Sequence, residues 1–133
     1  MVESFTVQSR DDRASLELLP YDRDYFLAAL RSSGLEATAR VGSYMSGGLG
    51  AFFAGLAGSW KGWEGTRTWS SLEGELELQA KSDHTGHVFL SVRLHYGAPA
   101  RWQAEVELVL EAGQLDRLAS DAREFEAAVV SAA

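Results

Sequence analysis

GELELQAKSDHTGHVFLSVRLHYGAPARWQAEVELVLE, residues 74–111, decides the fold, because apolar and polar residues alternate along three of its runs with a period of two. Successive side chains of a strand point to opposite faces, so each run sends one set of residues into a core and the other into water. Leu76, Leu78, Val88, Leu90, Val92, Leu94, Trp102, Ala104, Val106, Leu108 and Leu110 share the apolar face. Glu75, Glu77, Arg93, His95, Gln103, Glu105 and Glu107 share the polar one. The breaks at residues 81–86 and 97–100 are rich in residues that tolerate a positive φ or preset a turn, so they read as hairpin loops joining three antiparallel strands. Setting Tyr96 opposite Trp102 brings Arg93 beside Glu105, and the preceding strand brings Glu75 or Glu77 to its other side, which makes Arg93 a surface charge bridge.

Two helical patterns flank this region. Leu49, Phe52, Phe53, Leu56 and Trp60 fall at helical spacing, and Trp63 extends the stripe if the last turn continues past Lys61. From Gln114 to about Ala132, Leu115, Leu118, Ala122, Phe125, Val129 and Val130 form a second stripe, with Gly113 marking the bend from strand to helix. Upstream, SFTVQS and ASLELL read as a strand pair turning at residues 10–13, and LEATARV reads as another strand. Residues 24–34, DYFLAALRSSG, admit two readings. An Asp start and a Gly stop suit a short helix, whereas pairing with LEATARV across Ser-Ser-Gly makes residues 24–31 a strand. The strand is the expectation.

With 133 residues the chain is expected to form a single globular domain spanning 1–133, with a core that needs neither disulfide nor metal. It has no Cys, which removes thiolate nucleophiles and zinc–thiolate sites. A formal charge of −7 opposes direct binding to nucleic acid or an anionic membrane and favours a basic protein as partner. The start, MVESFTVQSRDDR, lacks the basic residues and long apolar run of a signal peptide, and nowhere do about eighteen apolar residues run together. A cytoplasmic location is expected.

Several residues invite chemistry. Asp83, His84 and His87 are metal-ligand types, but a tight loop and a strand start do not fix both imidazoles on one point, and no third ligand is nearby. Ser46-Gly47-Gly48-Leu49-Gly50 before a helix resembles a phosphate-cradling loop yet lacks the Gly-Lys-Ser/Thr ending. Glu64, Glu73, Glu75 and Glu77 single out no catalytic pair, and three histidines assemble no triad. Trp60, Trp63 and Trp69 read as a packed corner between helix and sheet rather than a ligand box. No cofactor is expected. The more credible interaction surface is the outward charge on the strands: Glu73, Glu75, Glu77, Arg93, Glu105 and Glu107.

The order Asp24-Tyr25-Phe26, Gly34-Leu35-Glu36-Ala37, Trp60-x-x-Trp63-Glu64, Trp69-Ser70-Ser71-Leu72-Glu73-Gly74-Glu75-Leu76, Asp83-x-x-Gly86-His87-Val88 and Ala112-Gly113-Gln114-Leu115-x-x-Leu118-Ala119 resembles a group of small bacterial proteins known only as a domain of unknown function. More distantly it is similar to WapI-type immunity proteins, which protect a bacterium by binding a toxin. The resemblance spans residues 24 to about 126 and rests on structural motifs, so no active residues carry over. Where those proteins open the last helix with an Asp-Gln pair, this chain has Gly113-Gln114. The resemblance implies that residues 24–31 form a strand.

The expected fold is α+β: an antiparallel, curved sheet of about six or seven strands with two helices, in the order β-β-β-β-α-β-β-β-α. The expected function is a non-enzymatic protein-binding domain, toxin-neutralising by resemblance, with a basic toxin domain as the partner that charge would favour. Two alternatives stand beside it. One is a small-ligand or metal-binding enzyme using the Trp-lined corner and the His84/His87 loop. The other is a self-associating structural domain, with a homodimer formed through an edge strand or an uncovered sheet face.

Overall fold

The computed structural model describes residues 4–11, 13–22, 24–42, 48–97 and 99–131. Asp12, Ser46, Gly47 and Ala132, named above in the first turn, the glycine-rich run and the last helix, lie outside them, as does the Val130 side chain. The first sheet is built from β1 (Phe5–Gln8), β2 (Ser15–Pro20), β3 (Tyr25–Ser32) and β4 (Leu35–Gly42), antiparallel and in that order. The ambiguous DYFLAALRS segment is a strand. Pairing on both sides, Leu30 opposite Leu16 and Ala37, outweighs its local helical propensity. Ser32 pairs with Leu35, leaving Ser33-Gly34 as a two-residue loop in which Gly34 takes φ 75°, a conformation that costs glycine little.

The second sheet holds β5 (Arg67–Ser70), β6 (Leu76–Ser82), β7 (His87–Tyr96) and β8 (Trp102–Glu111), again antiparallel and in sequence order. Tyr96 lies opposite Trp102 and Arg93 opposite Glu105, the register expected from the alternation, and of the two glutamates left open it is Glu77 that lies opposite Arg93. Leu76, Leu78, Val88, Leu90, Val92, Leu94, Ala104, Leu108 and Leu110 are buried, and Val106 packs half-buried against them. There are thus eight strands in two four-stranded sheets, not six or seven in one curved sheet. The additional strand, β5, is only four residues long, too short to display a period; it pairs Arg67 with Ala80 and Trp69 with Leu78.

Helix α1 (Leu49–Gly58) packs against α2 (Leu115–Ser131), α2 also touches β1, and α1 touches β5. Leu115, Leu118, Ala122, Phe125 and Val129 are the buried stripe of α2, as their spacing predicts. A 3₁₀ turn at Ala112–Gln114 precedes that helix, and Glu111 and Gln114 cap one another's backbone across it. The two sheets and the two helices meet in one core. There the Phe5 ring meets Phe53 edge-on at 5.5 Å and Phe125 at 6.4 Å, and Phe26 meets Phe125 edge-on at 5.7 Å. Each buried ring contributes about 1.5–3 kcal/mol by desolvation, and its edge-on contacts add about 0.5–1.5 kcal/mol.

Two polar joints hold the sheets together. At one corner the buried Ser9 hydroxyl accepts the Val109 N–H at 3.1 Å, and the Arg10 N–H donates to the Val109 carbonyl at 2.8 Å, so the chain leaving β1 covers part of the β8 edge. At the opposite corner the Gly42 N–H, at the end of β4, donates to Glu75 Oε2 at 3.2 Å.

The tryptophans depart from their expected places. Helix α1 stops at Gly58, where the Ser59 N–H closes on the Leu56 carbonyl, so the stripe does not reach Trp60. Trp60 is instead 58% exposed, with the Lys61 ammonium 5.4 Å from its ring. A turn through Gly62, at φ 120°, then brings Trp63 inward, where Nε1 donates to the Ala80 carbonyl at 3.3 Å. Trp63 is therefore core, but a turn and not a continued helix puts it there. Trp102 has the core-face parity expected of it but lies past the end of the packed layers. It is 36% exposed and stacks on Tyr96 with centroids 6.2 Å apart. Leu72 is exposed on the turn before β6.

Candidate functional site

Unlike charges come together on the outer face of the second sheet, where the register of β6, β7 and β8 stacks Glu77, Arg93 and Glu105 in one row. The Arg93 guanidinium meets Glu105 Oε2 through Nε and Nη2, each at 3.0 Å, and reaches Glu77 Oε2 through Nη1 at 3.4 Å. All three side chains are over one third exposed. Such pairs each contribute about 0–1 kcal/mol because water screens them. Their effect is to set positions: one cation orients two carboxylates. Glu107, one step further along β8 and opposite Ser91, is exposed and forms no side-chain ion pair or hydrogen bond among the described residues. Glu73 is likewise exposed on the turn leading into β6 and likewise unpaired among the described residues. His95, opposite Gln103 on this face, has a buried Nδ1 with no hydrogen-bond partner among the described residues.

Glu75 has a different place from the one expected. It precedes β6, and its carboxylate accepts the Ser71 hydroxyl at 2.7 Å as well as the Gly42 N–H, while Ser71 Oγ in turn accepts the Leu76 N–H at 3.2 Å. It stitches the start of the second sheet to the end of β4. Of the six residues expected to form a surface, Glu77, Arg93 and Glu105 are brought into contact, Glu107 follows on β8, Glu73 lies on the turn before β6, and Glu75 turns to structural use.

At the other end of β7 a second polar cluster forms. Asp83 Oδ1 accepts the Thr85 N–H at 2.7 Å and the His87 N–H at 3.2 Å, and Oδ2 lies 2.9 Å from His87 Nδ1. These bonds, led by those from Thr85, hold the Asp83 carboxyl below the usual carboxylate range. His87 Nε2 faces Arg10 Nη1 at 3.2 Å, and Arg10 Nε pairs with Glu111 at 3.0 Å. Arg10 and Glu111, far from Asp83 in sequence, were invisible to a reading of the loop alone. His84 takes no part: its φ is 62°, and its ring turns toward Glu64, 3.5 Å away, and packs on Gly62. The two imidazoles therefore diverge, and among the described residues no three His, Asp or Glu side chains are placed to hold a metal ion.

The anion that the glycine-rich run suggested is supplied by the protein. Glu126, on α2, accepts the N–H groups of Gly48 at 2.8 Å, Leu49 at 3.2 Å and Gly50 at 2.7 Å. It thereby satisfies the donors that every helix start leaves free and places a negative charge at the positive end of the α1 dipole. Open grooves lined by described residues lie between α1 and α2 (about 530 Å³, with Ala54, Ala57, Ala119 and Arg123), beside β1 and α2 (about 540 Å³) and below Trp60 (about 460 Å³). Trp63, His84 and His87 line none of these three. Among the described residues no helix is long and apolar enough to cross a membrane.

A model of a family of unknown function, DUF6228, matches residues 7–128 and so takes in every strand but part of β1, all of α1, most of α2 and the charged row. The chain belongs to DUF6228. No curated protein and no solved structure matches it significantly. Within this DUF6228 chain the matched span begins inside β1 and ends inside α2, so the Ser9–Val109 joint, the Gly42–Glu75 joint and the Glu126 cap all fall within it.

Proposed function

We propose that this DUF6228 chain is a non-enzymatic protein-binding domain whose docking surface is the outer face of the second sheet, and that its partner presents basic residues, as a toxin neutralised by a WapI-type immunity protein would. The observation that carries the reading is the Glu77–Arg93–Glu105 row. One guanidinium orients two carboxylates on the sheet, while Glu107, next on β8, forms no side-chain ion pair or hydrogen bond among the described residues. A surface of that kind has its side-chain ordering made before binding, so a partner's Lys or Arg meets oriented acceptors, and complementary charge raises association rate and selects partners by sign. The formal charge of −7 acts in the same direction.

Recovery of the tagged protein from its native host should retain a protein whose release is promoted by salt. Reversing two charges, Glu105→Lys with Glu107→Lys, should weaken that complex by about tenfold or more. If no partner is retained and no toxin gene lies among the neighbouring reading frames, the immunity reading falls. If a partner is retained with equal affinity by the charge-reversed protein, the docking surface is elsewhere.

A further inference from the structure

The edges of the two sheets differ in a way that bears on self-association. Along β4 the Gly42 N–H turns to Glu75 instead of to β3, and across from it the Tyr25 carbonyl accepts the Asp22 N–H. Tyr25 and Gly42 are therefore a pair whose backbone groups point away from each other. Because that direction alternates along a strand, the N–H and C=O groups of Glu36, Thr38 and Arg40 also point away from β3. Among the described residues they meet no other hydrogen-bonding group. The pairing with β3 is unbroken over eight residues, without a bulge or proline to blunt it, and all three side chains are exposed. The comparable groups of β8 are treated differently. Val109 is covered by Ser9 and Arg10, and Gln103, Glu105 and Glu107 give the rest of that edge two like charges.

We infer that β4 is a pairing edge for a second copy of this chain, in antiparallel register about a two-fold axis at Thr38. Only registers that set Glu36, Thr38 and Arg40 against the same positions of the other copy bring outward-facing groups together. The register centred on Thr38 engages all three. It places each Glu36 opposite the other copy's Arg40, twice, with Thr38 facing Thr38 between them, so the ladder gains hydrogen bonds and two unlike charge pairs at once. The same operation on β8, centred on Glu105, would set carboxylate against carboxylate. The inference is independent of the surface proposed above, which lies on the other sheet.

Sedimentation equilibrium on the full chain tests it, across protein concentrations from micromolar to millimolar. A mass rising from 14.5 kDa toward twice that value is expected. Glu36→Arg and Arg40→Glu should each raise the dimer dissociation constant by about tenfold or more, because each sets like charges opposite one another at two places. An equimolar mixture of the two variants, or the double variant E36R/R40E, should restore the association, an outcome that damage to the fold would not produce. A mass of one chain at every concentration overturns the inference and leaves the edge to a strand from another protein. A dimer indifferent to both variants overturns it equally.

Discussion

Replacing Glu126 by Ala should destabilise the protein more than its partly exposed position suggests, because one carboxylate serves three backbone donors at the start of α1. The Gly48 N–H is exposed and water can replace the lost oxygen, at a cost near the 0.3–1 kcal/mol typical of a charge at a helix end, to within about a factor of two. Gly50 is buried and its bond to Glu126 is short, 2.7 Å, so its N–H pays the desolvation cost of an unsatisfied group, about 1–3 kcal/mol. Together these give a loss of about 1–4 kcal/mol, or roughly 4–14 °C in Tm for a domain of this size. Glu126→Gln keeps one acceptor oxygen and loses the charge, so it should fall between the two. The assay is urea unfolding at 25 °C followed by far-UV circular dichroism, with Glu124→Ala, two residues away and exposed, as the control expected within about 0.5 kcal/mol of the unaltered protein. A loss below about 1 kcal/mol for Glu126→Ala would refute the capping account.

Three further outcomes follow from the same geometry. Gly50→Ala places a Cβ 2.5 Å from Arg123 Cγ and 2.7 Å from Glu126 Oε1, with the Arg123 backbone at 3.3 Å, and should cost about 1–3 kcal/mol by the same urea assay although alanine is the better helix former. Because its hydrogen bonds lower the Asp83 carboxyl in the folded protein, Asp83 stabilises the fold above its unfolded value, near pH 4, and that contribution disappears as pH falls below it. The stability gap between the unaltered protein and Asp83→Asn should therefore narrow between about pH 5 and 2 in a urea titration series, and a gap constant over that range would contradict the assignment. In acrylamide quenching of fluorescence, Trp60→Phe should remove a highly quenchable component. Trp63→Phe should leave quenching nearly unchanged and lower stability by about 1–3 kcal/mol through the lost Ala80 bond and the space left by the smaller ring.

How far the fold could be read from the chain depended on the range of the interaction that fixed each part. The strands β7 and β8 were legible down to register, because their ten-residue runs alternate and a short turn sets Tyr96 against Trp102; the Arg93–Glu105 contact followed from that alone, whereas the shorter β6 left Glu75 and Glu77 both open beside Arg93. The strand character of residues 25–32 needed a partner strand to decide it, and the Ser33-Gly34 turn supplied one close by. β5 gave no signal because four residues hold two alternations at most, and its inward Arg67 and Trp69 look like neither a core nor a surface pair. Trp60 and Trp102 were placed by periods extended one turn or one residue pair beyond where packing stops, which is where helical and strand patterns cease to carry information about burial.

The division into two sheets was illegible for a different reason. Its joints are single polar side chains acting on distant backbone groups: Ser9 on Val109, 100 residues away, and Glu75 on Gly42, 33 residues away; Glu126 does the same for α1 across 76 residues to Gly50. In composition a serine or glutamate that closes such a joint is indistinguishable from one that faces water, since both sit among other polar residues. That ambiguity runs through the charged surface itself. Glu75 and Glu77 occupy equivalent positions in the alternating pattern, yet one is consumed by Ser71 and Gly42 and the other is held by Arg93. With Glu75 lost to the frame, the outward carboxylates of β8 are Glu105, oriented by Arg93, and Glu107, so β8, not the β5–β6 turn, is where charge reversal should most affect a basic partner.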